Sequence, residues 1–190
     1  MNKFIQLRGT FAVGKTSTAR SFISRGNFKV QELELFGKKY PFTYDEEKQY
    51  IVTGRYDRNV CGGMDGVITN RDLMKYYLKT LMKKISPRVL VFEAVMYGST
   101  YKFGKELSDL CKVMGYEYRG VQLAPPLEQV IENLAIRNGG KEVNYESLSG
   151  MYFSCFKATE KLRKDGIRVD IVNPREYSLD ELHKIIEAQL

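Results

Sequence analysis

One stretch near the N-terminus limits the folds open to this chain more than any other: Gly9-Thr10-Phe11-Ala12-Val13-Gly14-Lys15-Thr16-Ser17. It fits G-x-x-x-x-G-K-[ST], the loop that wraps a nucleoside triphosphate's phosphates. Such a loop requires a strand before it and a helix after it, and the flanks supply both. Phe4-Ile5-Gln6-Leu7 is a short apolar run suited to a buried strand. Thr16 to Ser24 reads as a helix with Ala19, Phe22 and Ile23 on one side. The glycines let main-chain N–H groups turn inward around phosphate oxygens, and the helix N-terminus adds its partial positive charge. Gly9, Thr10, Ala12, Val13, Gly14, Lys15, Thr16 and Ser17 are therefore the expected nucleotide contacts. Lys15 is expected to reach the β and γ phosphates, and the Thr16 hydroxyl to ligate Mg²⁺ beside ATP.

The chain is 190 residues long, enough for one α/β domain over residues 1–190 with a sheet covered on both faces. No apolar run approaches membrane-spanning length, and the first residues lead straight into a strand, with no leader pattern. Cys61, Cys111 and Cys155 are far apart and odd in number, which reads as free thiols of a reducing cytoplasm. The lone histidine, His183, sits among charged residues of the last helix and reads as a surface group. The net charge of +7 suits an anionic substrate without choosing between a nucleotide and DNA.

Lys29 to Leu35 is a second strand. Two β-type runs, Tyr40 to Tyr44 and Gln49 to Thr53, flank the polar Asp45-Glu46-Glu47-Lys48 and read as a hairpin inserted at about 39–54, with Pro41 confining its first arm to an edge. The following segment, Gly54 to Gly66, has no periodicity. It mixes four glycines with Arg55, Tyr56 and Asp65, which reads as a substrate loop, with Arg55, Tyr56, Gly62, Gly63 and Asp65 as candidate acceptor contacts. Thr69 and Asp72 resemble a capping box for a helix running to Ile85, with Leu73, Tyr76, Tyr77, Leu81 and Ile85 as its apolar side.

Arg88-Val89-Leu90-Val91-Phe92-Glu93 has the continuous apolar character of a central parallel strand. It ends in a carboxylate, and chemistry in open α/β sheets gathers at the carboxyl ends of strands. Glu93 is therefore expected to face the phosphate loop, as a Mg²⁺ ligand or as the acceptor of a hydroxyl proton. Ser99 to Met114 is a helix closed by Gly115, and Glu117 to Leu123 a strand. Pro125-Pro126 opens a helix with Leu127, Val130, Ile131, Leu134 and Ala135 inward. Arg137 ends it, and a basic, glycine-rich lid spans about 137–146, where Arg137 and Lys141 would supply transition-state charge. Asn144 to Lys164 is a long helix packed through Tyr152, Phe153, Phe156, Ala158 and Leu162. Ile167 to Val172 is the last strand, and Asn173-Pro174-Arg175 the loop expected to hold the adenine through Asn173 and Arg175. Ser178 and Glu181 form a capping box for a C-terminal helix.

The chain thus reads as a P-loop kinase-like fold, a five-stranded parallel sheet of order 2-3-1-4-5 wrapped by helices. It also resembles a group of small phage P-loop kinases. The resemblance rests on Arg8-Gly9-Thr10 through Lys15-Thr16, Cys61-Gly62-Gly63-Met64-Asp65, Phe92-Glu93-Ala94, and Pro126-Leu127-Glu128 running to Arg137. The Cys-Gly-Gly-x-Asp element is similar to that of the 5-hydroxymethyluracil DNA kinases, which phosphorylate the base hydroxymethyl group within DNA. The resemblance implies ATP and Mg²⁺, a DNA acceptor containing a modified thymine, and work in the host cytoplasm. Tyr56 and Tyr101 are then candidates either for stacking on an extruded base or for packing in the core. A kinase for free deoxynucleosides or nucleoside monophosphates would use the same core. Where such relatives carry paired lid arginines, Arg137 here is followed by Asn138.

Overall fold

The computed structural model describes residues 1–57, 62–95, 97, 99–178, 180, 181 and 184, with the backbone alone of residue 65. In chain order the elements are β1 (Asn2–Arg8), α1 (Lys15–Ile23), β2 (Lys29–Leu35), β3 (Lys38–Asp45), β4 (Tyr50–Thr53), α2 (Arg71–Lys84), β5 (Val89–Glu93), α3 (Tyr101–Met114), β6 (Tyr116–Leu123), α4 (Leu127–Arg137), α5 (Tyr145–Lys164) and β7 (Val169–Val172). Among the described residues the seven strands join one sheet of order β2-β3-β4-β5-β1-β6-β7. β4, β5, β1, β6 and β7 are mutually parallel, and numbered among themselves they stand in the expected order 2-3-1-4-5.

The strand that fills the second parallel place is not the expected one. Lys29–Leu35 pairs antiparallel with β3, and β3 antiparallel with β4. The segment read as an inserted hairpin therefore lies within the sheet: its second arm, β4, is the parallel neighbour of β5, and β2 is added outside it. Pro41 is likewise not on an edge strand. Its carbonyl accepts from Gly54 N at 3.3 Å, so its missing N–H faces Gly54 just past the end of β4, where Gly54 O accepts from Thr43 Oγ1 at 3.0 Å instead. The β2–β3 hairpin continues three residues past Pro41, about 10 Å beyond the rim that carries the phosphate loop.

Central strands buried on both faces need two helical layers. Ile5, Leu7, Val91, Val121 and Leu123 pack against Ala19 and Phe22 of α1 and Val130 of α4 on one side. Phe4, Leu90, Phe92 and Tyr118 pack against Met74, Tyr77, Leu78 and Leu81 of α2, Phe103 and Leu107 of α3, and Leu162 of α5 on the other.

Several helix details differ from the sequence reading. Asn70, not Thr69, caps α2: its side chain accepts from Asp72 N and Leu73 N. The buried face of α2 is Met74, Tyr77, Leu78, Leu81 and Met82, while Tyr76 is half exposed and meets the Phe36 ring at the β2–β3 turn in a tilted contact. Of the residues expected inward on α4, only Val130 is fully buried. On α5, Phe153 is exposed and Cys155 and Thr159 are buried instead. Thr100 caps α3, and Gly115 ends it in the left-handed conformation, φ 73°. Ser178 and Glu181 do form the reciprocal box, Ser178 N donating to Glu181 Oε2 and Glu181 N to Ser178 Oγ. Among the described residues no helix is long and apolar enough to cross a membrane. Cys61 and His183 lie outside the described residues; Cys111 and Cys155 are free and buried.

Candidate active site

The phosphate loop owes its shape to backbone conformations that ordinary residues avoid. Gly9 (φ 127°) and Gly14 (φ 97°) lie at positive φ, and Ala12 joins them at φ 55°. A methyl group on Gly9 would stand 2.8 Å from Leu123 O and from Val13 Cγ2, so the loop is seated tightly on the neighbouring strand. Gly14 leads into α1 with no side-chain cap and no acidic residue in the first turn. The first-turn amides therefore face an anion site with no carboxylate of their own helix competing for it.

Lys15 is 4 % exposed. Its ammonium donates to Gly9 O at 2.9 Å and Thr10 O at 2.6 Å. The expected outward reach of Lys15 is thus not the geometry seen. The loop's own carbonyls satisfy a charge that would otherwise be buried without partners, although the side chain still forms part of the cavity wall. Loop position is further fixed from two sides. Ser99 Oγ donates to Gly9 O at 3.0 Å, and Asn133 Nδ2 of α4 to Ala12 O at 3.1 Å.

Glu93 ends β5 opposite Leu7 of β1, and it is 2 % exposed. Oε1 accepts from Thr16 Oγ1 at 2.7 Å and Oε2 from Tyr56 OH at 2.7 Å. The strand-end carboxylate and the loop hydroxyl are thus in direct contact. A hydroxyl and a carboxylate at this spacing beside a phosphate cradle are hard oxygen donors of the kind Mg²⁺ takes together with phosphate oxygens and water. Among the described residues no group of three His, Cys, Asp or Glu side chains competes as a metal site.

The cavity above the loop has a volume of about 410 Å³ and is lined by residues 11–17 together with Arg20, Glu93, Val95, Asn133 and Arg137. Arg137 closes the last turn of α4, and Asn133 stands one turn before it. Arg20 and Asn133 escaped the sequence reading. The signal was there: Arg20 follows Thr16 by four residues and Asn133 precedes Arg137 by four, so each shares a helix face with a singled-out residue.

The Gly54–Gly66 loop lies against this carboxylate. Arg55 N donates to Gly62 O at 3.0 Å and closes the loop's neck, where a methyl on Gly54 would stand 2.0 Å from Gly62 O. A methyl on Gly63 would stand 3.3 Å from Glu93 Oε1. Tyr56 is buried and bonded to Glu93, so its ring is not open for stacking. The Arg55 side chain pairs with Asp57 at 2.8 Å. Asp65 belongs to a short 3-10 turn, Met64–Gly66, and its side chain is outside the description. Gly9, Thr10, Arg55, Tyr56, Gly62 and Gly63 adjoin the cavity without lining it, and four more singled-out residues lie apart from its wall. Asn173 and Arg175 are bonded within their own turn, Asn173 Nδ2 to Glu176 and Arg175 N to Asn173 Oδ1. Lys141 is exposed in the segment between α4 and α5. Tyr101 donates to Asp165 at 2.7 Å, under the Lys161 ammonium.

No family model matches the chain. The sequence is 26 % identical over 141 residues to a 5-hmdU DNA kinase of Delftia phage PhiW-14, covering 70 % of this chain and 52 % of the relative. The chain thus spans about half the length of the curated relative it matches. Among solved structures, the fold is similar to the Deinococcus radiodurans tunicamycin resistance protein (TM-score 0.58, 17 % identity, 100 % of this chain and 95 % of that one). It is also similar to a chain of the PezAT toxin-antitoxin system of Streptococcus pneumoniae (TM-score 0.55, 17 % identity, 93 % and 70 %). At these identities the structural likeness speaks to the fold alone, an α/β P-loop fold.

Proposed function

We propose that this chain is an ATP-dependent phosphotransferase whose acceptor is the hydroxymethyl group of 5-hydroxymethyluracil in DNA. The observation that carries the phosphotransfer reading is the Thr16–Glu93 hydrogen bond, which joins a phosphate-loop hydroxyl to a buried strand-end carboxylate at the wall of one cavity. The acceptor reading is supported by the likeness to the phage kinase and by the glycine-rich loop folded onto Glu93.

Thr16 and Glu93 are the residues that would hold Mg²⁺, which supplies charge neutralisation at the phosphates. The loop amides and Lys15 bind and orient the triphosphate, and Arg137 neutralises the transferring group. The acceptor O–H attacks the γ-phosphorus, the bond to the β–γ bridging oxygen breaks, and ADP leaves. Glu93 orients the hydroxyl and takes its proton. Gly63 keeps the approach to that carboxylate open, because any side chain there would crowd Oε1. A base within a duplex must leave the stack to reach so buried a group.

The test offers γ-labelled ATP with ordinary DNA, with 5-hydroxymethyluracil DNA and with free nucleotides in separate reactions. Label is expected only in the modified DNA. Label in free nucleotides alone would replace the acceptor with a nucleoside or nucleoside monophosphate. Lys15→Ala and Glu93→Gln should each lower turnover by about 10²-fold or more; rates near wild type in folded protein would remove these roles.

A further inference from the structure

Arg8 is the last residue of β1 and directly precedes Gly9. It is 1 % exposed, the largest fully buried side chain among the described residues. Nη1 donates to Gln6 Oε1 at 3.0 Å, while Nε and Nη2 are buried without a hydrogen-bond partner. No carboxylate among the described residues pairs with it.

The groups around it are neutral. Gln6 Oε1 also accepts from the Tyr118 hydroxyl, and Thr159 donates to Gln122 nearby. Burial pushes the Tyr118 phenol up to about 12 despite the pull of Arg8, so it stays protonated. Burial likewise raises the Cys155 thiol. None of them is a counter-anion at neutral pH.

The space for this side chain is made by two glycines. A methyl on Gly104 of α3 would stand 2.8 Å from Arg8 Nη1 and 2.9 Å from Leu162 Cδ1, and one on Gly120 of β6 2.9 Å from Val169 Cγ1 and 3.1 Å from Arg8 Cδ. Two elements thus give way to hold a charge that no described residue neutralises. Burying an unpaired cation is among the costlier arrangements a fold can contain, and an apolar side chain of similar volume usually serves stability better. The site that begins one residue later is the one place where a dense negative charge is to be held.

We propose that Arg8 is a positioning residue of the nucleotide site, an indirect cation that raises affinity for polyphosphate from beneath the loop without touching it. Two buried positive charges thus stand close to Gly9, Lys15 bonded to the loop carbonyls and Arg8 on the residue that precedes it, held between α3 and β6. Interactions through the protein interior are weakly screened, so the effect scales with ligand charge rather than with contact. The inference rests on the reading that the loop binds a nucleoside polyphosphate.

The experiment is calorimetric titration of wild type, Arg8→Met and Arg8→Lys with ATP, ADP and AMP, plus thermal unfolding of each protein and of Arg8→Gln without nucleotide. Arg8→Met should weaken ATP on the order of 10-fold, ADP less and AMP least, with Arg8→Lys close to wild type. Its unfolding temperature without nucleotide should equal or exceed that of wild type. Equal loss for the three ligands, or no loss for ATP, would overturn the proposal. So would loss of folding in both Arg8→Met and Arg8→Gln, since Arg8 would then be structural. If wild type binds none of the three nucleotides, it is the underlying nucleotide reading that fails.

Discussion

The two oxygens of Glu93 face different partners, and that asymmetry makes a sharp expectation. Thr16 holds Oε1 and Tyr56 holds Oε2. Tyr56→Phe keeps the ring in the core but removes the donor to Oε2. Turnover should fall on the order of 10-fold, as when an orienting partner of an active-site ligand is lost. Measured kcat with far-ultraviolet dichroism unchanged would show it, and an unaltered kcat would mean the bond orients nothing. Glu93 was legible because a carboxylate that closes a buried apolar strand is costly to place and marks the sheet rim where ligands bind. Tyr56 was singled out as an acceptor contact, but its bond to Glu93 was not legible: it closes across 37 residues and belongs to a segment without periodicity. Lys15 was legible in identity but not in pose, because its partners are backbone carbonyls that no side-chain pattern records.

Caps and edges show the same division among helices and strands. The Ser178–Glu181 box was readable because both halves are local. The α2 cap was misplaced by one residue, since Thr69 and Asn70 are both capable caps and packing chose Asn70. Replacing Asn70 with Ala should cost about 1 kcal/mol of stability by urea unfolding, against little for Thr69→Ala. A second expectation concerns α2 against α3. Arg71 Nε donates to Glu106 Oε2 at 3.1 Å, with Nη2 2.6 Å from Oε1 and Lys75 at 3.2 Å. Burial pushes the Glu106 carboxyl up, but the hydrogen bonds from Arg71 and Lys75 outweigh it and hold the group below the usual range. A lowered folded pKa means stabilisation that is present above the unfolded value of about 4.3 and is lost as pH falls through the folded value. The wild-type urea midpoint should therefore converge on that of Glu106→Gln below about pH 4, with a gap of about 1 kcal/mol at pH 7 for so partly exposed a pair. A gap that persists at pH 2 would assign the difference to packing. The hairpin was recognisable from its polar turn. Its place inside the sheet was not, because strand partners are set by long-range pairing that alternation does not encode.

If the acceptor is the modified DNA proposed above, a chain with net charge +7 should bind it in a salt-dependent way. Affinity for modified DNA, followed by fluorescence anisotropy, should fall by at least about 10-fold between 50 and 200 mM salt, because several phosphate contacts release counterions. A dependence as shallow as that of a mononucleotide would count against a DNA acceptor. By itself the amino-acid order determined the phosphate loop, its strand and helix, and the carboxylate that ends β5. These follow from local spacing and from apolar runs, which act within a few residues. Tertiary structure alone decided that β4 rather than β2 completes the parallel set, that Tyr56 and Gly63 close on Glu93, and that Gly104 and Gly120 leave room for Arg8. Those are contacts between segments far apart in the chain, where the fit of one surface on another, not the pattern of either, selects the partner.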